Sequence, residues 1–177
     1  PFSSDEYAIN LDNTISLPKL YDAIAIVSNK EKTVSSSAGH QLMNAHPFAE
    51  SRFAQAKDNL RDMLSALQDN DLTIFGQILE LEALTLHGLM LSSSPSFILL
   101  EPASLEIISK IRDFREKTSL AIYFTIDAGP NIHIIYTEQG KDKIIEFLNK
   151  EISPICSNII FDEIGNGPEL LSENYNE

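Results

Sequence analysis

The sequence predicts an α+β domain in which helices pack on one face of a mostly antiparallel, four-stranded sheet. Short β-branched runs bounded by turns predict strands, and longer segments carry apolar residues at helical spacing. Strands and helices do not alternate regularly, which favours an α+β layer over a parallel sheet. With 177 residues, 43% of them apolar, the chain can bury one core. We expect a single domain over residues 1–162 and a flexible acidic tail over 163–177.

The first half of the domain is predicted to hold one strand and two long helices. The strand is the compact β-branched run Asp22–Ser28. An amphipathic helix runs from Phe48 to about Asp69, where the apolar residues recur every three or four positions. A second helix begins after Asn70 or Asp71 and continues to about residue 91. Because apolar residues lie on nearly all its sides, we expect it to be mostly buried.

The second half is predicted to hold a helix, a hairpin, a short helix and a last strand. Pro102 suits the first position of the third helix. Ser119–Asp127 is apolar almost throughout, so we expect it to form a central strand of the sheet. A glycine-containing turn joins this strand to Ile132–Tyr136 as a hairpin. Lys141–Lys150 predicts a short helix, and Ile155–Phe161 predicts the last strand.

The charge of the chain and its cysteine content exclude several classes of function. It carries 26 acidic and 13 basic residues, for a formal net charge of −13. Such a surface repels phosphate backbones, so nucleic acid and anionic membranes are poor partners. A single cysteine, Cys156, excludes an intrachain disulfide and fits a reducing, cytoplasmic location. No histidine or basic residue is near it in sequence, so we expect a buried structural thiol rather than a nucleophile.

The first candidate for chemistry is Asp127, a carboxylate at the end of an apolar strand and directly before a turn. Burial raises the pKa of an aspartate and turn N–H groups lower it, so such a position can hold an oriented base. The alternative is that Asp127 only begins the turn and accepts hydrogen bonds from N–H groups two residues on. The local pattern leaves both interpretations open.

The second candidate is the serine-rich run Ser35–Gly39 (SSSAG), which suits a helix N-terminus. Hydroxyl and N–H groups there attract phosphate, although an ordinary helix cap explains the run equally well. Ser92–Ser94 is a weaker candidate, because Pro95 indicates a plain loop. The histidines have no metal-ligand spacing, so we expect no metal site, and His87 is interpreted as a hydrogen-bonded core residue. No nucleotide-binding loop motif is present.

Several of these segments together resemble the C-terminal half of mevalonate diphosphate decarboxylases. The resemblance is carried by Ser35–Leu42 (SSSAGHQL), two long helices, Ser94–Phe97 (SPSF) and Tyr123–Asn131 (YFTIDAGPN). It runs from about Ala23 to Phe161, and Asp-Ala-Gly-Pro-Asn is its more specific motif. The family belongs to the superfamily of galactokinase, homoserine kinase, mevalonate kinase and phosphomevalonate kinase, and the resemblance implies the C-terminal fold of that superfamily.

The resemblance also implies an activity and a set of site residues. The family uses ATP and Mg2+ to phosphorylate the 3-hydroxyl of mevalonate 5-diphosphate and decarboxylate it to isopentenyl diphosphate, a step of isoprenoid biosynthesis. Asp127 matches the catalytic aspartate, which sits against that hydroxyl and orients or deprotonates it. Ala128 matches a backbone contact to the substrate carboxylate region, and Ser36 matches a serine lining the pocket. Ser37 lies beside Ser36, and His40 stands where many members carry Met.

The family's phosphate loop and cationic pocket residues belong to its N-terminal half, and none of those segments is visible in this sequence. The chain also begins at Pro1 rather than Met. We therefore expect an excised C-terminal half, inactive alone, whose missing N-terminal domain binds most of the ATP and Mg2+. A homodimer stays open as a further partner. Two alternatives also stay open: the C-terminal domain of a related small-molecule kinase that does not decarboxylate, and a non-enzymatic interaction domain.

Overall fold

The structure is a computed structural model that describes residues 3–4, 7–8, 18–29 and 45–165. Within these residues it contains six strands and four α-helices. In chain order they are β1 (Ser3–Ser4), β2 (Tyr7–Ala8), β3 (Leu20–Ile26), α1 (Ala49–Gln68), α2 (Leu72–Ser92), α3 (Pro102–Thr118), β4 (Ile122–Ile126), β5 (Ile132–Thr137), α4 (Lys141–Phe147) and β6 (Asn158–Glu163). A π-helical turn over Leu148–Ile152 and a 3-10 turn over Ser153–Ile155 join α4 to β6.

Four of the strands form one sheet in the order β4-β5-β3-β6, and every pairing in it is antiparallel. The short strands β1 and β2 pair only with each other in the described part of the chain. Helices α2, α3 and α4 pack against the four-stranded sheet and α1 packs on α2, so the predicted α+β fold class is confirmed. The predicted tail lies outside the described residues except for 163–165, and Glu163 still belongs to β6.

The predicted starts of two helices are confirmed in atomic detail. The carboxylate of Asp71 accepts hydrogen bonds from the backbone N–H groups of Thr73 and Ile74, at 3.1 and 3.0 Å, which caps α2. Pro102 is the first residue of α3, where it loses no helical hydrogen bond. Glu101 and Ser104 complete a capping box there.

The expectation that Ser119–Asp127 forms a central strand is wrong. The strand within this segment, β4, lies at one end of the strand order and pairs with β5 alone among the described strands. The outer side of β4 is covered by α2, which packs along it. Burial by a helix and burial by a second strand produce the same apolar sequence, so the sequence alone could not distinguish them.

One face of the sheet carries the core. Alternate residues of β3, β4 and β5 point to this face, where α3, α4 and the π-helical turn cover them. The fully buried members of this cluster are Ala23, Ala25, Ile107, Ile111, Ile122, Phe124, Ile132, Ile134, Ile144, Leu148 and Ile152. Residues of the opposite face, such as Ile24 and Ile135, are only half-buried. The two faces therefore differ, with one closed by helices and the other partly open.

The contact between α2 and β4 depends on a glycine. A Cβ atom added to Gly76 would lie 2.1 Å from Cδ1 of Tyr123, far inside van der Waals contact. The ring of Tyr123 thus occupies the space that any other side chain at position 76 would need. This close approach allows α2 to cover the outer edge of β4.

A partly buried ion pair joins the same helix to α3. Glu80 is 6% exposed, and its two carboxylate oxygens accept hydrogen bonds from Nη1 and Nη2 of Arg115 at 2.6 and 3.2 Å. Nη1 of Arg115 also donates to the backbone carbonyl of Ile122 at 2.6 Å, and the guanidinium lies over the Tyr123 ring. One arginine therefore connects α2, α3 and the first residues of β4.

By length and composition alone, Leu72–Ser92 could cross a membrane, with a mean hydropathy of 1.3 over its most apolar window. Its contacts are those of a core helix, because it packs against both α1 and β4. Its acidic residues are also paired: Glu80 binds Arg115, and Glu82 binds Arg52 of α1. These contacts account for only part of the apolar character of α2. Only 33% of that window is buried, and Ile74, Leu81 and Leu91 are exposed, so the expectation of a mostly buried helix is wrong.

The expectation for Cys156 is only partly correct. Its side chain is half-buried rather than buried, and Sγ lies 3.8 Å from the backbone carbonyl of Ser153. Partial burial raises the pKa of the thiol, which disfavours the reactive thiolate. A structural thiol agrees with this environment.

Gly76→Ala is expected to destabilise the protein by about 1–3 kcal/mol, because the new methyl group overlaps the Tyr123 ring. Gly88→Ala is the matched control in the same helix, since a Cβ there meets no atom within 4 Å. The control should be neutral or stabilise by up to about 1 kcal/mol through helix propensity. Urea unfolding of the two variants measures the difference, and equal effects would contradict the close packing at Gly76.

Candidate functional site

The segment Asp127–Asn131 connects β4 to β5 and contains the motif on which the sequence analysis concentrated. The side chain of Asp127 is exposed, at the end of a strand whose preceding residues are buried. The N–H of Gly129 donates to the backbone carbonyl of Asp127 at 2.8 Å. The turn is thus closed by the main chain of Asp127, and its carboxylate is not needed for that bond.

The backbone of Asp127 is also held from α2. Nε2 of His87 lies 3.1 Å from the Asp127 carbonyl oxygen, and the His87 ring is almost completely buried. Burial lowers the pKa of His87, while the hydrogen bond to Asp127 acts in the opposite direction. The interpretation of His87 as a hydrogen-bonded core residue is therefore confirmed.

Two further side chains hold the rest of this segment. The buried hydroxyl of Ser104, in the first turn of α3, donates to the carbonyl of Pro130 at 2.6 Å. Oδ1 of Asn131 accepts from the backbone N–H groups of Val27 and Ser28 at 3.0 and 3.1 Å, just beyond the end of β3. The connection is therefore fixed to α2, to α3 and to the chain that follows β3.

Asp127 continues the alternation of Tyr123 and Thr125, which places it on the partly open face of the sheet. On this face His133 lies opposite Thr125, and its Nδ1 is 2.7 Å from Oδ2 of Asp22. The hydrogen bond to Asp22 raises the pKa of His133, and the negative charges of Asp22 and Asp127 act in the same direction. An imidazole and two carboxylates thus share one polar region of the open face.

A groove of about 360 Å3 runs between α2 and this open face. Phe75 and Leu79 of α2 form one side, and Thr125, two residues before Asp127, lies on the sheet side. Asp127 is not part of its lining. The groove and the Asp127 segment are therefore neighbouring features, and the exposed carboxylate faces solvent outside the groove.

The predicted site residues differ in what the structure says about them. Asp127 and Ala128 lie in the segment between β4 and β5, where Ala128 is half-buried. Ser36, Ser37 and His40 lie outside the described residues, so their distance from Asp127 stays a prediction. Within residues 18–29 and 45–165, no group of three or more histidine, cysteine, aspartate and glutamate residues could hold a metal ion.

The residues that hold the Asp127 segment in place are not among the predicted site residues. Asn131 was part of the quoted motif, but its sequence neighbours gave no reason to expect a bond to the end of β3. Ser104 has a detectable signal, since it follows Pro102 by two positions and completes a capping box. The pairing of Asp22 with His133 had a weaker signal, namely polar residues inside otherwise apolar strands.

Comparison with known proteins matches most of the chain to one family. The family model described as the mevalonate 5-diphosphate decarboxylase C-terminal domain matches residues 23–166. Diphosphomevalonate decarboxylase of Candida albicans is 27% identical over 190 residues, covering 98% of this chain and 52% of that protein. The chain thus spans about half the length of such a relative.

Solved structures agree with this relationship. Mevalonate diphosphate decarboxylase of Staphylococcus aureus matches with a TM-score of 0.74 and 29% identity over 84% of this chain and 44% of that one. A structure of MDDEF in complex with MVAPP, AMPPCP and magnesium matches with a TM-score of 0.76 and 25% identity over 91% of this chain and 50% of that one. In each case the match covers half of the known structure or less.

The pairing of His133 with Asp22 predicts a pH-dependent stability. The pKa of His133 is raised in the folded protein above its ordinary value of about 6.5. The charged ring therefore stabilises the fold below that pH, and the contribution is lost as pH rises through the raised folded value. His133→Gln should lower the free energy of unfolding more at about pH 5.5 than at about pH 8.5, on either side of the ordinary histidine value.

Urea titrations of both proteins at the two pH values measure this difference. Asp22→Asn serves as the second variant, because it removes the partner and leaves the imidazole in place. It should reduce the pH dependence in the same direction. A stability loss in His133→Gln that is equal at both pH values would contradict the assignment.

Proposed function

The chain belongs to the mevalonate 5-diphosphate decarboxylase C-terminal domain family, and on that premise we propose that it forms the C-terminal half of a two-domain, ATP-dependent decarboxylase. The observation that carries the proposal is Asp127, whose backbone is fixed from α2 while its carboxylate stays exposed. A carboxylate held in this way can accept the proton of a bound alcohol. Ser36 and Ser37 are proposed to line the substrate pocket, and His40 is proposed to lie beside it.

The proposed substrate is mevalonate 5-diphosphate. Asp127 orients or deprotonates the 3-hydroxyl, and the hydroxyl oxygen attacks the γ-phosphorus of ATP, with ADP leaving. The C3–O bond of the new phosphate ester then breaks, and the phosphate departs with the bonding electrons and leaves C3 electron-deficient. The electrons of the bond to the carboxylate carbon form the new double bond, and CO2 is released. Ala128 is proposed to contact the substrate carboxylate region through its backbone.

The charge of this chain supports a division of labour between two halves. With 26 acidic and 13 basic residues, it is poorly suited to bind a triphosphate and a diphosphate alone. No metal-binding group is found in the part of the chain that the structure describes. We therefore propose that a separate N-terminal half supplies the cations and holds Mg2+, which would neutralise charge on the transferred phosphoryl group. A cytoplasmic location is proposed for the complete protein.

Asp127→Asn in the complete protein is expected to reduce turnover by about 10²- to 10⁴-fold, because the amide cannot accept the hydroxyl proton. Asp62→Asn is the matched control, since Asp62 is an exposed aspartate of α1. ATP-dependent CO2 release measures both variants, and their melting temperatures should stay close to that of the unmodified protein. Near-normal turnover of Asp127→Asn would end the proposal.

The 177-residue chain alone is expected to release no CO2 from mevalonate 5-diphosphate and ATP, because the proposed phosphate-binding half is separate. Adding the N-terminal half, as part of one chain, should restore the reaction. Turnover by the chain alone would contradict the division of labour.

The alternative of a kinase without decarboxylation is distinguished by the product. Mass spectrometry of the reaction of the complete protein should find isopentenyl diphosphate and no accumulated phosphorylated acid. A stable phosphorylated acid without CO2 would favour the kinase, and no ATP-dependent product would favour a non-enzymatic interaction domain.

A further inference from the structure

His87 is buried in α2, more than ten residues along the helix from Gly76, and faces the start of the β4–β5 connection. Its ring is 3% exposed, and its Nε2 is 3.1 Å from the carbonyl oxygen of Asp127. A carbonyl oxygen can only accept a hydrogen bond, so Nε2 carries the hydrogen and donates it. This defines the tautomer of the ring, and Nδ1 is the unprotonated nitrogen when the ring is neutral.

The Asp127 carbonyl accepts two hydrogen bonds, one from His87 and one from the N–H of Gly129 at 2.8 Å. A carbonyl oxygen has two lone pairs, so both are used. The peptide group that links Asp127 to Ala128 is planar, and fixing its oxygen fixes the plane. A fixed plane restricts rotation about the Cα–C bond of Asp127. The direction in which the Asp127 side chain leaves the backbone is restricted with it.

We propose that His87 is a positioning residue, which aims the Asp127 carboxylate at the substrate hydroxyl by holding the backbone carbonyl of that residue. The inference rests on the proposed function, because it assigns His87 a task in the reaction that Asp127 serves. His87 touches neither the carboxylate nor the substrate in this arrangement. It acts on the reaction only through the backbone of Asp127.

The geometry explains why a buried side chain is suited to this task. The carboxylate is exposed and could adopt several orientations, whereas the His87 ring is enclosed by the core and has few. A donor with few available positions restrains the position of the carbonyl that it binds. Loss of the donor leaves the Gly129 bond, which lies within the same turn and moves with it.

A pair of variants separates the hydrogen bond from the volume of the ring. His87→Gln keeps an N–H donor the same number of bonds from the backbone as Nε2, and His87→Met has a similar volume without a donor. In the complete protein, His87→Met should lower kcat by about 10- to 100-fold, since small displacements of a reacting group are costly. The KM for mevalonate 5-diphosphate should change by less than about threefold, because His87 does not contact the substrate in this arrangement. His87→Gln should recover most of the lost kcat.

The outcomes are distinguishable from each other and from failure of the proposed function. A His87→Met protein with normal kcat, or a His87→Gln protein as impaired as His87→Met, would overturn the positioning role. If His87→Met does not fold, His87→Asn replaces it, because its amide is one bond too short to reach the carbonyl. Asp127→Asn is assayed in parallel. Normal turnover of Asp127→Asn would refute the proposed function itself, whereas loss of turnover there with unaffected His87 variants would refute only the inference.

Discussion

The close packing of α2 on β4 is the constraint on which the rest of the structure depends. It begins where Gly76 admits the Tyr123 ring and ends where His87 reaches the carbonyl of Asp127. Between these contacts the helix rises about 16 Å, and the strand rises about 13 Å over its matching residues. The two elements therefore run side by side over similar lengths. The packing of Gly76 on Tyr123 at one end thus places His87 within hydrogen-bond distance of Asp127 at the other. The partly buried Arg115 fixes this relationship by bonding both elements.

In the candidate site, hydrogen bonds restrain the backbone of the segment, whereas the carboxylate of Asp127 is the group proposed to react. Three side chains hold the segment by binding backbone groups, namely those of Ser104, Asn131 and His87. The carboxylate of Asp127 stays exposed, which avoids the cost of burying a charge in a half-domain. This exposure fits the proposed function, in which a substrate and a second domain enclose the charge. The partly open face of the sheet around His133 also agrees with a site that a second domain would cover in the proposed function.

Local signals predicted the elements of this fold well, whereas contacts between distant segments were predicted poorly. Asp71 and Pro102 marked helix starts because capping is a property of a few neighbouring residues. The position of β4 was wrong because an apolar strand is the same whether a helix or a strand covers its edge. His87 was recognised as a core residue, but its partner lies 40 positions away in the sequence. Local sequence patterns do not predict a contact between residues so far apart in the chain.

The way in which Asp127 is held also has a chemical consequence. A donor bound directly to a carboxylate stabilises its charged form and makes it a weaker base. Fixing the residue through its carbonyl instead restrains the direction of its Cα–Cβ bond and does not use the carboxylate lone pairs. A base can then be both oriented and unoccupied, which a proton-accepting role at an alcohol requires. The hydrogen bonds from His87 and Gly129 meet this requirement with two donors on one backbone oxygen. In the proposed function, the backbone oxygen of Asp127 thus serves its orientation, and its carboxylate oxygens serve the proton transfer.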